Sequence, residues 1–250
     1  MNIIINGKDV AARKGETVLE AALREGYDIP HLCYHPALKP EGNCRLCLVE
    51  VGGKVTTACT TTVRDGMVIE LDTEEVNKHR RTVLEMLKAL VPKSPILEEL
   101  SAKFGLGKVR LASSDEVCIK CGLCVRVCAE LVGADALAQE GRGTETFFNP
   151  PFNEPSPDCV GCTACAFVCP VQCIKYEKTD DKITIWGKTM DRLRCTKCGA
   201  SLDLTAEHME LIKKRGTNLH PENLNLCDTC SRAETLRTMK TVVESQLTLS

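Results

Sequence analysis

Residues 118–128 read CIKCGLCVRVC and residues 159–170 read CVGCTACAFVCP. Both carry the spacing C-x2-C-x2-C-x3-C, and only the second ends in proline. Three thiols at i, i+3 and i+6 wrap one side of a compact cubane within a single tight loop. The fourth lies beyond a half-turn of helix and points away; in two-cluster ferredoxins it ligates the other cluster. The spacing therefore predicts a swap. Cys118, Cys121, Cys124 and Cys169 hold one [4Fe–4S] cluster, and Cys128, Cys159, Cys162 and Cys165 hold a second. Thiolate suits this role because it is soft, anionic and matched to tetrahedral iron. Two zinc knuckles would need no C-x3-C extension. Ala129 stands where the first copy lacks its proline, which frees the backbone to continue as helix through VCAELVG. Cys173 stands outside both frames. It reads as a small apolar residue packed beside a cluster, with a spare ligand or redox thiol as the alternative.

Working outward, 250 residues allow one to three domains. The 32 basic and 34 acidic side chains nearly balance, so no electrostatic case for nucleic acid arises. No apolar run is long enough for a membrane span, and the start MNIIINGKDV lacks the pattern of a secretory signal. The expected compartment is cytoplasmic. Seventeen cysteines in a long chain without that signal favour metal or iron–sulfur ligation over disulfides.

Four modules are expected. Residues 1–78 open with apolar runs flanking Asn6-Gly7, a hairpin signal. The helix TVLEAALREG follows, with Thr17 and Glu20 as a capping box and Gly26 as its stop. Then come the strands LCLVEV and KVTTAC about Gly52-Gly53, and MVIEL at 67–71. Hairpin, helix and further strands predict a β-grasp domain. Residues 79–108 form a helical connector, the last part of a helix over 73–90 and a shorter one in PILEELSAKF. Asp72 and Glu75 are a possible capping box for the first, and Pro92 stops it. GLGK at 105–108 lacks the full phosphate-loop pattern and reads as a helix end. Residues 109–178 hold the two matching frames, separated by the proline-rich spacer FFNPPFNEPSP. Residues 183–250 contain KITIW, two C-x2-C pairs and a helical tail over 231–244. The fold class is α+β.

The first module has its own thiol set, Cys33, Cys44, Cys47 and Cys59, spaced C-x10-C-x2-C-x11-C. Plant-type [2Fe–2S] ferredoxins use a shorter first gap. Four thiolates on loops of a β-grasp sheet still suit a [2Fe–2S] rhomb, with zinc as the alternative. His31 and His35 flank Cys33 and read as loop or supporting residues. The last set is Cys195, Cys198, Cys227 and Cys230. Its pairs are separated by 28 residues, somewhat wider than the usual zinc-ribbon gap. CTKCG reads as a knuckle whose glycine lets the backbone turn toward a metal. Zinc is the preferred occupant and a further iron–sulfur cluster the alternative, because the ligand types suit both. His208 and His220 read as surface or loop residues.

The stretches IPHLCYHPALKPEGNCRLCLVEVGG, RRTVLEML and CIKCGLCVRVC resemble the N-terminal iron–sulfur region of the large subunit of respiratory complex I. They equally resemble its relatives in NAD-linked hydrogenases, transhydrogenases and formate dehydrogenases. The resemblance covers residues 1–178. It implies a [2Fe–2S] domain followed by a two-cluster ferredoxin domain that conducts electrons between an FMN/NAD(H) subunit and a distant centre. It also implies partners: a diaphorase subunit, a thioredoxin-like [2Fe–2S] subunit, hydrogenase or other catalytic subunits, and a soluble ferredoxin. Many members carry an H-x3-C-x2-C-x5-C segment between the two domains. Here that region, LVPKSPILEELSAKFGLGK, has neither Cys nor His, so that cluster is expected to be missing and His79 to lie on a helix surface.

The leading expectation is thus an electron-relay subunit of an NAD(P)H-linked oxidoreductase, electron-bifurcating or reversible, without a substrate site of its own. No G-x-G-x-x-G fingerprint is present, so a flavin that splits hydride pairs belongs to another subunit. Two rivals remain at this level. One is a metal-dependent regulatory or nucleic-acid-binding protein, using the C-terminal pairs and the basic run KKRG at 213–216. The other is a free-standing polyferredoxin.

Overall fold

The structure, a computed structural model, describes residues 1–216 and 224–247. His220 lies outside the described residues. The chain divides into two compact units. The first comprises 1–131, 139–148 and 165–174; the second comprises 132–138, 149–164 and 175 onward.

In the first unit, β1 (Asn2–Ile5) and β2 (Lys8–Ala11) form an antiparallel hairpin with Ile5 opposite Lys8. Asn6 and Gly7 both take positive φ, 47° and 75°, as a two-residue turn matched to strand twist demands. Helix α1 (Val18–Arg24) starts at Thr17, whose hydroxyl accepts from the Glu20 N–H. The Glu20 carboxylate accepts from the Thr17 N–H at 2.7 Å, completing the capping box. Strands β3 (Leu48–Val51), β4 (Lys54–Thr57) and β5 (Val68–Glu70) complete a sheet of order β2-β1-β5-β3-β4. Within it β1 and β5 run parallel. Alternate strand residues Ile3, Ile5, Val10, Val49 and Ile69 bury with Val18, Leu19, Ala21 and Ala22 of α1 in one core. Cys47 and Cys59 lie in the same core, so the binding loops are anchored to the packed sheet.

Helix α2 (Glu74–Leu90) is capped by Thr73, whose hydroxyl accepts from the Val76 N–H at 3.2 Å. The expected Asp72–Glu75 box does not form. Asp72 instead pairs with Arg80 at 2.9 Å. Arg80 is 1% exposed and donates to the Leu48 carbonyl at 2.6 Å, fastening α2 to β3. His79 lies exposed on α2 beside Glu75. Helix α3 (Pro95–Lys103) begins on proline, whose missing N–H costs nothing there. Short α4 (Leu123–Arg126) runs into a π-helical turn, Val127–Val132. This is the continuation that Ala129 permits. β6 (Ala138–Glu140) and β7 (Phe147–Asn149) pair as a ribbon, and α5 (Ala164–Phe167) follows. The expected spacer holds the whole of β7 and a 3-10 turn, Pro151–Asn153.

The second unit is built on an antiparallel sheet of order β11-β10-β9-β8. Its strands are β8 (Tyr176–Lys178), β9 (Lys182–Ile185), β10 (Lys188–Arg194) and β11 (Ser201–Thr205). Helix α6 (Ala206–Lys214) is capped by Thr205, and α7 (Asp228–Leu247) begins three residues before the expected tail. His208 sits half-buried on α6, and burial lowers its pKa. No described helix is long and apolar enough to cross a membrane.

Candidate cluster and metal sites

The first site gathers Cys33, Cys44, Cys47 and Cys59, all buried. Cys47 leads into β3 and Cys59 leaves the β4 end, where the Ala58 N–H donates to the Cys47 carbonyl at 2.7 Å. The Cys33 sulfur accepts from the Cys44 N–H at 3.3 Å. The thiols of Cys44 and Cys59 also bond to Cys33, and these contacts hold its pKa far below the usual thiol range, aided by Arg126. The same contacts push Cys44 up, and contacts with Cys33 and Cys47 push Cys59 up. A buried, mutually repelling thiolate set of this kind fits a polycationic iron centre, and such ligands must be deprotonated to bind.

The two matching frames share a backbone path. Position +2 after the leading cysteine is left-handed in both: Lys120 at φ 57° and Gly161 at φ 69°. Position +4 is left-handed too: Gly122 at φ 75° and Thr163 at φ 57°. Glycine occupies a different one of the two positions in each copy, so loop shape and not glycine placement is what repeats. In the first frame the Lys120 N–H donates to the Cys118 sulfur at 3.3 Å. Burial raises Cys121 and Cys124 to about 12. Cys128 and Cys165 are buried, and Cys159 and Cys162 half-buried. Cys173 is half-buried beside predicted ligands of the first cluster. Its sulfur lies 3.5 Å from that of Cys169 and bonds to Cys118, linking two predicted ligands of one cluster. Its protonated thiol draws Cys169 down to about 5.

Two side chains that the sequence reading did not single out join the first thiol set to the first frame. Asn43 precedes Cys44, and its Nδ2 donates to the Cys121 carbonyl at 3.1 Å. Arg126 lies between Cys124 and Cys128 and is 6% exposed. Its guanidinium donates to the carbonyls of Cys33 at 2.9 Å and Lys39 at 2.8 Å, and it pairs with Glu41. A charged residue inside CVRVC was the available signal, because a cation so close to ligand positions needs anionic or carbonyl partners.

The C-terminal set is the most tightly gathered. The sulfurs of Cys195, Cys198, Cys227 and Cys230 all lie within 4.8 Å of one another. Cys195 follows the end of β10, and the turn to β11 is closed by the Cys195 N–H to the Ala200 carbonyl, 2.7 Å, and the Gly199 N–H to the Cys195 carbonyl, 2.9 Å. Gly199 takes φ 73°, the conformation the knuckle reading requires. Backbone N–H groups of Cys227, Cys198 and Lys197 address the Cys195 sulfur and lower its pKa to about 6.

Residues 1–74 match the family profile of a 2Fe-2S iron–sulfur cluster binding domain. Among individual relatives, the chain is similar to the G 2 subunit of the NADH-quinone oxidoreductase of Rhizobium meliloti (strain 1021). They are 31% identical, over 89% of this chain and 30% of the relative. NADPH-Fe(3+) oxidoreductase subunit alpha of Geobacter sulfurreducens (strain DL-1 / KN400) is 28% identical, over 82% of this chain and 27% of the relative. The solved structure of an NAD+-reducing [NiFe]-hydrogenase in the H2-reduced state superposes with a TM-score of 0.62 at 29% identity. That match covers 68% of this chain and 85% of the hydrogenase chain. The chain spans 25–30% of the length of the curated relatives it matches. The expected resemblance is therefore found. A match over 89% of the chain also carries it beyond residue 178, into the C-terminal module.

Proposed function

We propose that the chain is an iron–sulfur electron-relay subunit of a multi-subunit NAD(P)H-linked oxidoreductase. The partner enzyme is an electron-bifurcating or reversible hydrogenase, or a related transhydrogenase or formate dehydrogenase. The chain passes single electrons between an FMN/NAD(H) subunit and another redox centre or ferredoxin. Cys33, Cys44, Cys47 and Cys59 hold a [2Fe–2S] cluster, and Cys118, Cys121, Cys124 and Cys169 a [4Fe–4S] cluster. The second [4Fe–4S] set, Cys128, Cys159, Cys162 and Cys165, rests on the spacing alone. Bound clusters supply reversible one-electron chemistry, with potentials set by hydrogen bonds to sulfur, burial and charge.

The observation that carries the reading is the pair of bridges between the two thiol sets of the first unit. Asn43 Nδ2 meets the Cys121 carbonyl, and Arg126 meets the Cys33 carbonyl. They hold two ligand loops in fixed register, which is the requirement of a wire. Arg126 also places positive charge beside both loops, favouring their electron-rich forms.

The test uses the chain purified anaerobically with its flavoprotein partner. NADH should reduce binuclear and tetranuclear centres, followed by EPR. In Cys47→Ser the binuclear signal should vanish and NADH-driven reduction of the tetranuclear centres should slow by at least ~10-fold, while dithionite still reduces them. Unchanged NADH-driven reduction in that variant would remove the relay. A chain that purifies alone and never exchanges electrons with a flavoprotein would point to the free-standing polyferredoxin.

A further inference from the structure

The sequence leaves the occupant of the C-terminal thiols open, because four cysteines suit zinc and iron–sulfur clusters alike. Their spacing in the fold separates these occupants. A single tetrahedral ion with Zn–S bonds near 2.3 Å places its sulfurs at the corners of a tetrahedron of edge about 3.8 Å. A cubane seats each thiolate on a separate iron, so the body of the cluster drives the sulfurs well apart. Here all four sulfurs lie within 4.8 Å of one another, and Cys198 and Cys227 are 3.6 Å apart. Among the described residues no other group of Cys, His, Asp or Glu converges so closely.

The surroundings fit one ion also. Cys195 and Cys198 sit on the β10–β11 knuckle, and Cys227 and Cys230 at the head of α7. The Thr196 N–H donates to the Asn225 carbonyl at 3.0 Å, pinning the two loops together beside the sulfurs. The Ser231 N–H donates to the Cys227 carbonyl at 2.8 Å, and Lys197 pairs with Glu234 across the same junction. Four thiolates complete a tetrahedron and leave no position for water or substrate, the mark of a structural site. Between thiophilic divalent ions, zinc outcompetes ferrous iron for such ligands.

We propose that Cys195, Cys198, Cys227 and Cys230 hold one zinc ion in a closed structural site, and that no fourth iron–sulfur cluster forms there. The ion clamps the β10–β11 hairpin to α7 and takes no part in electron transfer. This inference stands apart from the relay reading.

Metal analysis and zinc-edge X-ray absorption on the full chain, isolated anaerobically with its partners, test it. The expected result is one zinc per chain, bound by four sulfurs at about 2.3 Å, beside about ten irons. The double variant Cys227→Ser/Cys230→Ser should lose the zinc and keep the irons and their EPR signals. Iron near fourteen, or one additional iron with no zinc, would overturn the proposal, as would zinc held by nitrogen or oxygen. The absorption measurement on unaltered protein decides the matter even where the double variant does not fold. Zinc at every thiol site would sink the relay instead, so the two failures are distinguishable.

Discussion

Arg80 shows how much a single side chain holds. It is buried away from water, and it donates to the Leu48 carbonyl while packing over the Phe104 ring. Arg80→Met keeps most of the bulk but leaves that carbonyl without its donor. The expected loss is about 1–3 kcal/mol, read from the urea midpoint. Glu85 is also buried and accepts from Arg110, whose guanidinium holds its carboxyl down to about 2. A depressed carboxyl contributes stability above its unfolded value of 4.5, and loses it as pH falls toward 2. The stability gap between the native chain and Glu85→Gln should therefore be full at pH 7 and already narrower at pH 4. A gap constant with pH would rule out this linkage. Cys173 belongs to the same scale. Its thiol lies in hydrogen-bond contact with two predicted ligands, and a donor at that position favours the reduced cluster. Cys173→Ala should lower the midpoint potential of the cluster assigned to Cys118–Cys169, in an EPR-monitored titration, while Cys173→Ser preserves most of it.

At the scale of elements, the two frames are the informative unit. Their shared left-handed positions show one loop shape built twice from different residues. If the fourth thiol serves the other cluster, Cys169→Ser should disturb the centre bound by residues 118–124 and spare its own loop-mate. Disturbance of the 159–165 centre instead would refute the exchange. Elements written in local chemistry were legible in the sequence. The Asn6-Gly7 turn, the Thr17–Glu20 box and the Gly52-Gly53 turn each depend on neighbours a few residues apart. Thr73 replaced the expected cap of α2 because Asp72 was taken by Arg80, eight positions away, and no local pattern records that competition. Strands β8, β10 and β11 were also hidden. YEK and KTMDRLR are charged and show little alternation, and it is pairing with β9 that makes β8 and β10 strands, with β11 added on β10 beyond the knuckle. Ligand identities were readable because metal spacing is a sequence property. The Asn43 and Arg126 bridges were not, because they join residues 78 and 93 positions apart.

Across the whole molecule, labour is divided. The first unit carries the sheet-anchored thiol set and the whole of the first frame, bound by buried polar bridges. The second carries an antiparallel sheet ending in a clamp of four sulfurs. Removing zinc with a mild chelator should loosen α7 and the β10–β11 turn in hydrogen exchange, and leave protection of β1, β3 and β5 unchanged. Everything else depends on thiolates holding redox-active iron in series. The most direct test is iron content with EPR on anaerobically isolated protein reduced by NADH through its flavoprotein partner. A relay of this kind should show about ten irons per chain and the signals of one binuclear and two tetranuclear centres. Colourless protein with zinc in place of iron, and no signal on reduction, would contradict it.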